Sequence, residues 1–156
     1  MKDPKKFPVT AEGKARVEAE LQRMIEVDRP AIIAAVAEAR SHGDLRENAG
    51  YHAARHDQVM LEKRIAEMEG MLKHAVIIED DPSDLSVRLG SSVVVEIEGD
   101  EERYTIVGAL EAKPAQGLIS NESPVGQALL GKNAGDEAQV ATNHGFTTYK
   151  ILRIER

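Results

Sequence analysis

The hydrophobic pattern of this chain changes period once, near its middle. Up to about residue 73 apolar positions recur three and four apart, and from about residue 85 they alternate. Val17, Leu21 and Met24 follow Thr10, a fitting N-cap, at spacings of four and three, which predicts an amphipathic helix. Pro30 interrupts it, and interior proline breaks or kinks a helix. Helix-forming composition resumes at once in AIIAAVAEAR. The pattern therefore predicts one helix from about residue 11 to 40, kinked or adjusted near Pro30, or two shorter helices end to end. Gly43 supplies a turn, and a second helix is predicted from about Asp44 to Lys73. Its seam is Leu61, Ile65, Met68 and Leu72, an a/d heptad pattern. Two helices of about 30 residues on so short a turn must run antiparallel, each spanning about 45 Å. The expected product is a coiled-coil hairpin with its tip at residues 41–44.

Beyond EDDPSD the period falls to two. SSVVVEIEG, ERYTIVG, DEAQVAT and FTTYKILRI read as strands. Between them SPVGQALLG carries Ser123 as N-cap, Pro124 at the first helical position and Gly131 just past the end, the signature of a short helix. The predicted class is α+β: a helical hairpin over residues 1–79, a linker at 80–84 containing Pro82, and a mostly antiparallel β module with one short helix over 85–156.

Composition narrows the function classes. The 156 residues include no cysteine, which removes disulfides, thiolate nucleophiles and cysteine-ligated zinc. No run approaches the roughly 20 apolar residues of a membrane span, and MKDPKKFPVT lacks the apolar stretch of a secretory signal. A cytoplasmic protein without a membrane partner is expected. Residues 1–78 hold 13 basic and 13 acidic side chains, so the net charge of −7 lies wholly in the second half. That half is ill suited to gripping a nucleic acid backbone. It suits a basic protein surface, or is simply solubilising charge.

The stretch SHGDLRENAGYHAAR, residues 41–55, carries the candidate chemistry. Asp44 and Glu47 stand three apart at a predicted helix start, which fits a capping box. They also fit a site. On a continuous helix Asp44, Glu47, Asn48, Tyr51 and Arg55 share one stripe: acids at the end, an amide and a phenol next, and a guanidinium about 16 Å behind. Two carboxylates hold Mg²⁺ only loosely. Such a pair is catalytically silent alone and useful where a second metal and a phosphodiester already wait. His52 and His56 have zinc-compatible spacing but no evident third ligand, so they read as polar surface or minor phosphate contacts.

RPAIIAAVAEARSHGDLRENAGYHAAR resembles the signature of the GreA/GreB family of bacterial transcript cleavage factors, and the GreA branch more closely. The resemblance continues in YTIVGALEA, in GLISNESPVGQALLGKNAGDE and in the closing strand, so it spans nearly the whole chain. It implies an N-terminal coiled coil and an FKBP-like C-terminal domain. It further implies that the C-terminal domain grips the β′ coiled coil of RNA polymerase at the secondary channel, while the hairpin enters the channel. Asp44 and Glu47 match the tip acids, which help the polymerase bind its second Mg²⁺ and orient water for hydrolysis of backtracked RNA. The protein would then be no enzyme by itself, would hold no stable Mg²⁺ alone, and would act as a monomer.

The resemblance also places Arg55 at the RNA 3′ end, with Tyr51 beside it, and Glu122, Ser123 and Pro124 in the polymerase-docking loop. One departure stands out: the family commonly reads ENAEYH where this chain reads ENAGYH. Gly50 thus replaces a third acid and costs the helix roughly 1 kcal/mol against alanine. Three rivals remain. One is a channel-binding regulator without cleavage. Another is a prolyl isomerase or chaperone, for which 3% aromatic residues offer little pocket lining and fold analogy is a poor warrant. The third is a coiled-coil adaptor, indifferent to acids at its tip.

Overall fold

Thr10 opens the first helical arm: its hydroxyl accepts the Gly13 N–H at 3.0 Å and its carbonyl the Lys14 N–H at 2.9 Å, the expected N-cap. The computed structural model describes residues 4–44, 46–79 and 81–155. Helix α1 (Ala11–Arg23), a π-helical stretch (Met24–Asp28) and α2 (Arg29–Arg40) follow one another directly. Arg23, Asp28 and Arg29 all keep right-handed helical dihedrals, so Pro30 does not break the arm. The Arg29 N–H bonds the Met24 carbonyl, five residues back. The wider turn gives the proline ring room that a regular α-turn denies it.

The same stretch repairs the heptad. Val17 and Met24 are seven residues apart, as are Ile32 and Ala39, but Met24 and Ile32 are eight apart. One extra residue in a regular helix rotates everything beyond it by about 100°. The π-turn absorbs that residue. Accordingly Val17, Met24 and Val36 are buried and Ile32 and Ala39 half-buried, while Ala31 and Ala35, where an unshifted repeat would fall, are exposed.

Helix α3 (Ala49–Lys73) needs no such correction. Tyr51, Ala54, Gln58, Leu61, Ile65, Met68 and Leu72, spaced alternately three and four, are all buried or half-buried, and the positions between them are exposed except Met71. Arg29 joins the two arms through a bidentate pair with Glu62, at 2.8 and 3.0 Å. This hydrogen bonding holds the guanidinium above its ordinary pKa. The observed start of α3 corrects the expected one: it begins at Ala49, not Asp44, because Asn48 supplies the cap.

The chain forms two compact units. One is Ala15–His74; the other joins the chain up to Lys14 with the chain from Ala75 onward. The predicted pattern cuts once, at a linker of residues 80–84. The observed division is discontinuous because β1 (Phe7–Val9) pairs in parallel with β2 (Ala75–Ile77), Phe7 opposite Ala75. The Ile78 N–H extends the pairing to the Val9 carbonyl at 3.0 Å. Three-residue strands carry too little alternation to be read from sequence. Asp80 of the expected linker lies outside the described residues. Asp81 and Asp84 each fold back on the serine two residues ahead. The Ser83 hydroxyl holds the Asp81 carboxyl below its ordinary pKa.

The second unit contains a five-stranded sheet in the order β5-β4-β3-β7-β6. Its strands are β3 (Ser92–Ile97), β4 (Asp100–Val107), β5 (Leu118–Ser120), β6 (Glu137–Thr142) and β7 (Gly145–Glu155). Only β4–β5 is parallel; the other pairs are antiparallel, and opposite Val94/Val95 strand β7 carries one extra residue, Leu152, a bulge that bends it against β3. The β3–β4 turn uses Glu98 and Gly99 at φ of 53° and 92°, the two left-handed residues that a tight twisted hairpin requires. Val87, Val93, Val95, Ile106, Ile119, Leu129, Ala138 and Ile151 form the core. Helix α4 (Pro124–Leu129) contributes Leu129 to it. The α+β class is as the sequence predicts. Among the described residues no helix is long and apolar enough to cross a membrane.

Two stability predictions follow from these packings. Deleting Val27 shortens the Met24–Ile32 interval to one heptad and removes the need for a π-turn, but returns proline to a regular α-turn. The deletion alone is expected to lower the thermal midpoint, since interior proline costs about 3 kcal/mol; adding Pro30→Ala is expected to restore it. In α4, a Cβ at Gly126 would lie 2.0 Å from the Ser120 carbonyl oxygen, and backbone cannot swing aside. Gly126→Ala is expected to lose about 1–3 kcal/mol in denaturant unfolding, despite alanine's better helix propensity.

Candidate functional site: the hairpin tip and the Glu122 loop

Helix α2 ends in a tight set of local bonds. The Ser41 N–H reaches the Ala37 and Glu38 carbonyls, and the His42 N–H the Ala39 carbonyl. Gly43 then turns the chain at a φ of 124°, a conformation that side chains disfavour. Asp44 follows in an Asx turn: its Oδ1 accepts the Arg46 N–H at 3.0 Å, and its carbonyl accepts the Glu47 N–H at 3.3 Å. Both acids are exposed, and among the described residues no hydrogen bond or ion pair engages the Glu47 carboxylate.

Asn48 performs the capping that the Asp44/Glu47 spacing predicts for the acids. Its backbone is extended, at φ −88° and ψ 91°, and its Oδ1 accepts the Tyr51 N–H at 2.9 Å. Its Nδ2 donates to the Ala39 carbonyl at 2.5 Å, in the last turn of α2. One half-buried side chain thus starts α3 and fastens it to α2. The capping-box expectation is overturned: Asp44 and Glu47 lie in the connection ahead of the helix, and the shared helical stripe of Asp44, Glu47, Tyr51 and Arg55 does not form. An asparagine immediately before AGYH is a cap residue in its own right, which the Asp-x-x-Glu spacing just ahead of it obscures.

Tyr51 and Arg55 do share a helix side, one turn apart, but in different surroundings. Tyr51 is half-buried on the seam, with the Arg40 guanidinium 5.7 Å from its ring centroid and His52 edge-on at 5.6 Å. Arg40, which no sequence motif singles out, therefore holds the tyrosine from the opposite helix. Arg55 is exposed, its Nη1 donating to Gln58 at 2.5 Å. His52 and His56 are both exposed. Among the described residues no group of three histidine, cysteine or acidic side chains is placed to hold a metal ion. Arg40, Arg46 and Arg55 leave the tip with both signs of charge: two acids on the connection and guanidinium groups beside and behind them.

The other site lies in the second unit. Ser123 caps α4, its Oγ accepting the Gly126 N–H at 3.0 Å and donating to the Ser120 carbonyl at 2.7 Å. Pro124 occupies the first turn, as expected. The Glu122 N–H bonds the Ser120 Oγ at 3.1 Å, and the Asn121 N–H the Val107 carbonyl at 2.9 Å. So fixed a backbone presents Glu122, exposed, in one direction. Its carboxylate pairs with Lys5 at 2.8 Å, a residue just ahead of β1 that the sequence gives no reason to select.

Comparison with known proteins covers nearly the whole chain. The family profile "Transcription elongation factor, N-terminal" of GreA/GreB matches residues 7–77, and the GreA/GreB C-terminal profile matches residues 82–156. The chain is 47% identical over 152 residues to transcription elongation factor GreA of Thermomicrobium roseum, covering 96% of this chain and 97% of that one. It is 45% identical over 156 residues to GreA of Bacillus subtilis, covering 99% of each. Among solved structures, the transcription factor Gfh1 superposes with a TM-score of 0.50 at 28% identity, covering 99% of this chain and all of that one. Two exposed acids on a capped helical hairpin, joined to a β module, are here borne on a chain that belongs to the GreA/GreB family of transcription elongation factors.

Proposed function

We propose that this protein binds bacterial RNA polymerase in the cytoplasm, inserts its hairpin tip into the secondary channel, and stimulates the polymerase's own hydrolysis of backtracked RNA. The observation that carries this reading is the chemical state of the tip. Asp44 and Glu47 are exposed and excluded from capping by Asn48, in a chain of the GreA/GreB family. A pair so placed has no pocket of its own and suits one supplied by another protein.

The donor set fits a shared Mg²⁺. Asp44 and Glu47 offer hard carboxylate oxygens, too few for a complete shell, which leaves positions for substrate oxygen and water. A bound Mg²⁺ would stabilise charge on the phosphate and acidify water. The chain's own part is to place two negative charges and accept hydrogen bonds from the attacking water. Attack at phosphorus breaks the bond to the upstream 3′-oxygen and releases a short 3′ fragment. Arg55, exposed behind the tip, is suited to phosphates of the extruded RNA, with Tyr51 one helical turn nearer the tip. Glu122, Ser123 and Pro124 form a rigid acidic loop suited to the β′ coiled coil. Alone the protein is no enzyme, and it works as a monomer.

Gly50 favours a second reading, occupancy of the channel without cleavage, since a third acid is missing there. A Cβ at Gly50 would meet only Asn48 Oδ1, at 3.4 Å, so a larger residue fits.

Stalled, backtracked complexes carrying end-labelled RNA separate the two readings. The wild-type chain is expected to accelerate 3′-fragment release by about a hundredfold or more, and Asp44→Asn/Glu47→Gln to bind equally and lose that acceleration, about 3 kcal/mol of barrier lowering. Binding without acceleration by the wild type would establish the second reading, and Gly50→Glu would then be expected to gain activity.

A further inference from the structure

We propose that Asn48 is a positioning residue whose task is to hold the start of α3 back from a latent capping box, keeping Asp44 and Glu47 off the helix backbone. This inference rests on the cleavage reading above for its consequence, but not for its structural content.

Two helix starts compete in this sequence. Asp44 and Glu47 have the spacing of a capping box, in which the first residue accepts a backbone N–H at the third helical position and the acid there reaches back. A helix begun at Asp44 would spend both carboxylates on its own amide groups. The structure instead begins α3 at Ala49, with Asn48 extended and its Oδ1 on the Tyr51 N–H. Asparagine and aspartate are comparably good caps, so capping strength alone does not decide between the starts.

The junction at Tyr51 does, together with a second bond of Asn48. Its Nδ2 donates to the Ala39 carbonyl on the opposite arm, a bond open to an amide and closed to a carboxylate or methyl. It fixes where α3 meets α2, and Tyr51 under Arg40 keeps the same junction one turn further on. Extending α3 backward to residue 44 would require Asn48 to leave its extended dihedrals, give up Ala39, and carry the chain past the Gly43 turn. The amide therefore acts on the acids through the helix start, without touching anything they bind.

Substitutions at residue 48 divide the two functions of the amide. Asn48→Ala removes cap and cross-arm donor together and adds a strong helix former. Asn48→Ser keeps a capping oxygen and stops the helix. Carbon chemical shifts of Asp44, Arg46 and Glu47 in the free full-length chain report the helix start directly. They are expected to turn helical in Asn48→Ala and to stay as in wild type in Asn48→Ser. In backtracked polymerase complexes, Asn48→Ala is expected to keep its half-saturating concentration while its saturating cleavage rate falls about tenfold or more, as small misplacements of a reacting group do. Asn48→Ser should recover most of that rate.

Loop-like shifts in Asn48→Ala overturn the proposal, as do helical shifts with undiminished cleavage. A residue of purely structural value would lower the melting temperature of Asn48→Ala; the proposal expects the midpoint to hold, because the helix lengthens. If the wild type itself fails to accelerate cleavage, the cleavage reading falls, and the shifts still decide which residue starts α3.

Discussion

A two-helix hairpin has no interior other than the seam between its arms, so alignment of that seam governs everything the tip can do. In this protein one arm has a regular heptad and the other carries one residue too many, between Met24 and Ile32. The mismatch is settled locally by the π-turn of Met24–Asp28. With Val36 and Ile65 both facing inward, the arms stay in register up to the junction of Ala39 and Asn48. Without the correction, the seam of α2 would be turned by about 100° and the junction could not form. Pro30 suits this solution because the residue with no N–H sits where the backbone ladder changes its step.

That alignment permits a division of labour at the tip. Helix termini leave backbone amides that some side chain must satisfy. Here the neutral Asn48 does so, and the acids do not. Asp44 retains one local bond, to the Arg46 N–H, which orders it without consuming both of its oxygens. Glu47 stands exposed. The β module follows the same logic around Glu122, where Ser120 and Ser123 satisfy the turn and the acid is left facing outward. In both places small neutral side chains do the structural work beside an exposed carboxylate.

Much of this was legible in the sequence wherever a pattern repeats. The seam of α3, the four longer strands and the Ser123–Pro124 helix start all follow from period, capping chemistry and glycine placement. What escaped was short or relational. Strands β1 and β2 are three residues each, and their pairing joins sequence-distant segments, so the chain divides into units that no single cut describes. The π-turn was foreshadowed by Pro30, but its purpose emerges only when both arms are compared. The cap at Asn48 escapes because two caps compete within five residues and the winner depends on contacts with another helix. Arg40 over Tyr51 and Lys5 on Glu122 leave no sequence signal at all, since each is a contact between elements.

The central claim is that the tip acids complete a metal site belonging to another protein. Counting Mn²⁺, as a spectroscopic stand-in for Mg²⁺, tests it most directly. Electron paramagnetic resonance would measure ions retained by the free chain, by a backtracked polymerase complex, and by that complex with the wild-type or Asp44→Asn/Glu47→Gln chain. The account predicts no retained ion on the free chain and one additional ion in the complex with the wild type, absent with the variant. An ion held by the free chain, or equal counts with wild type and variant, would contradict it.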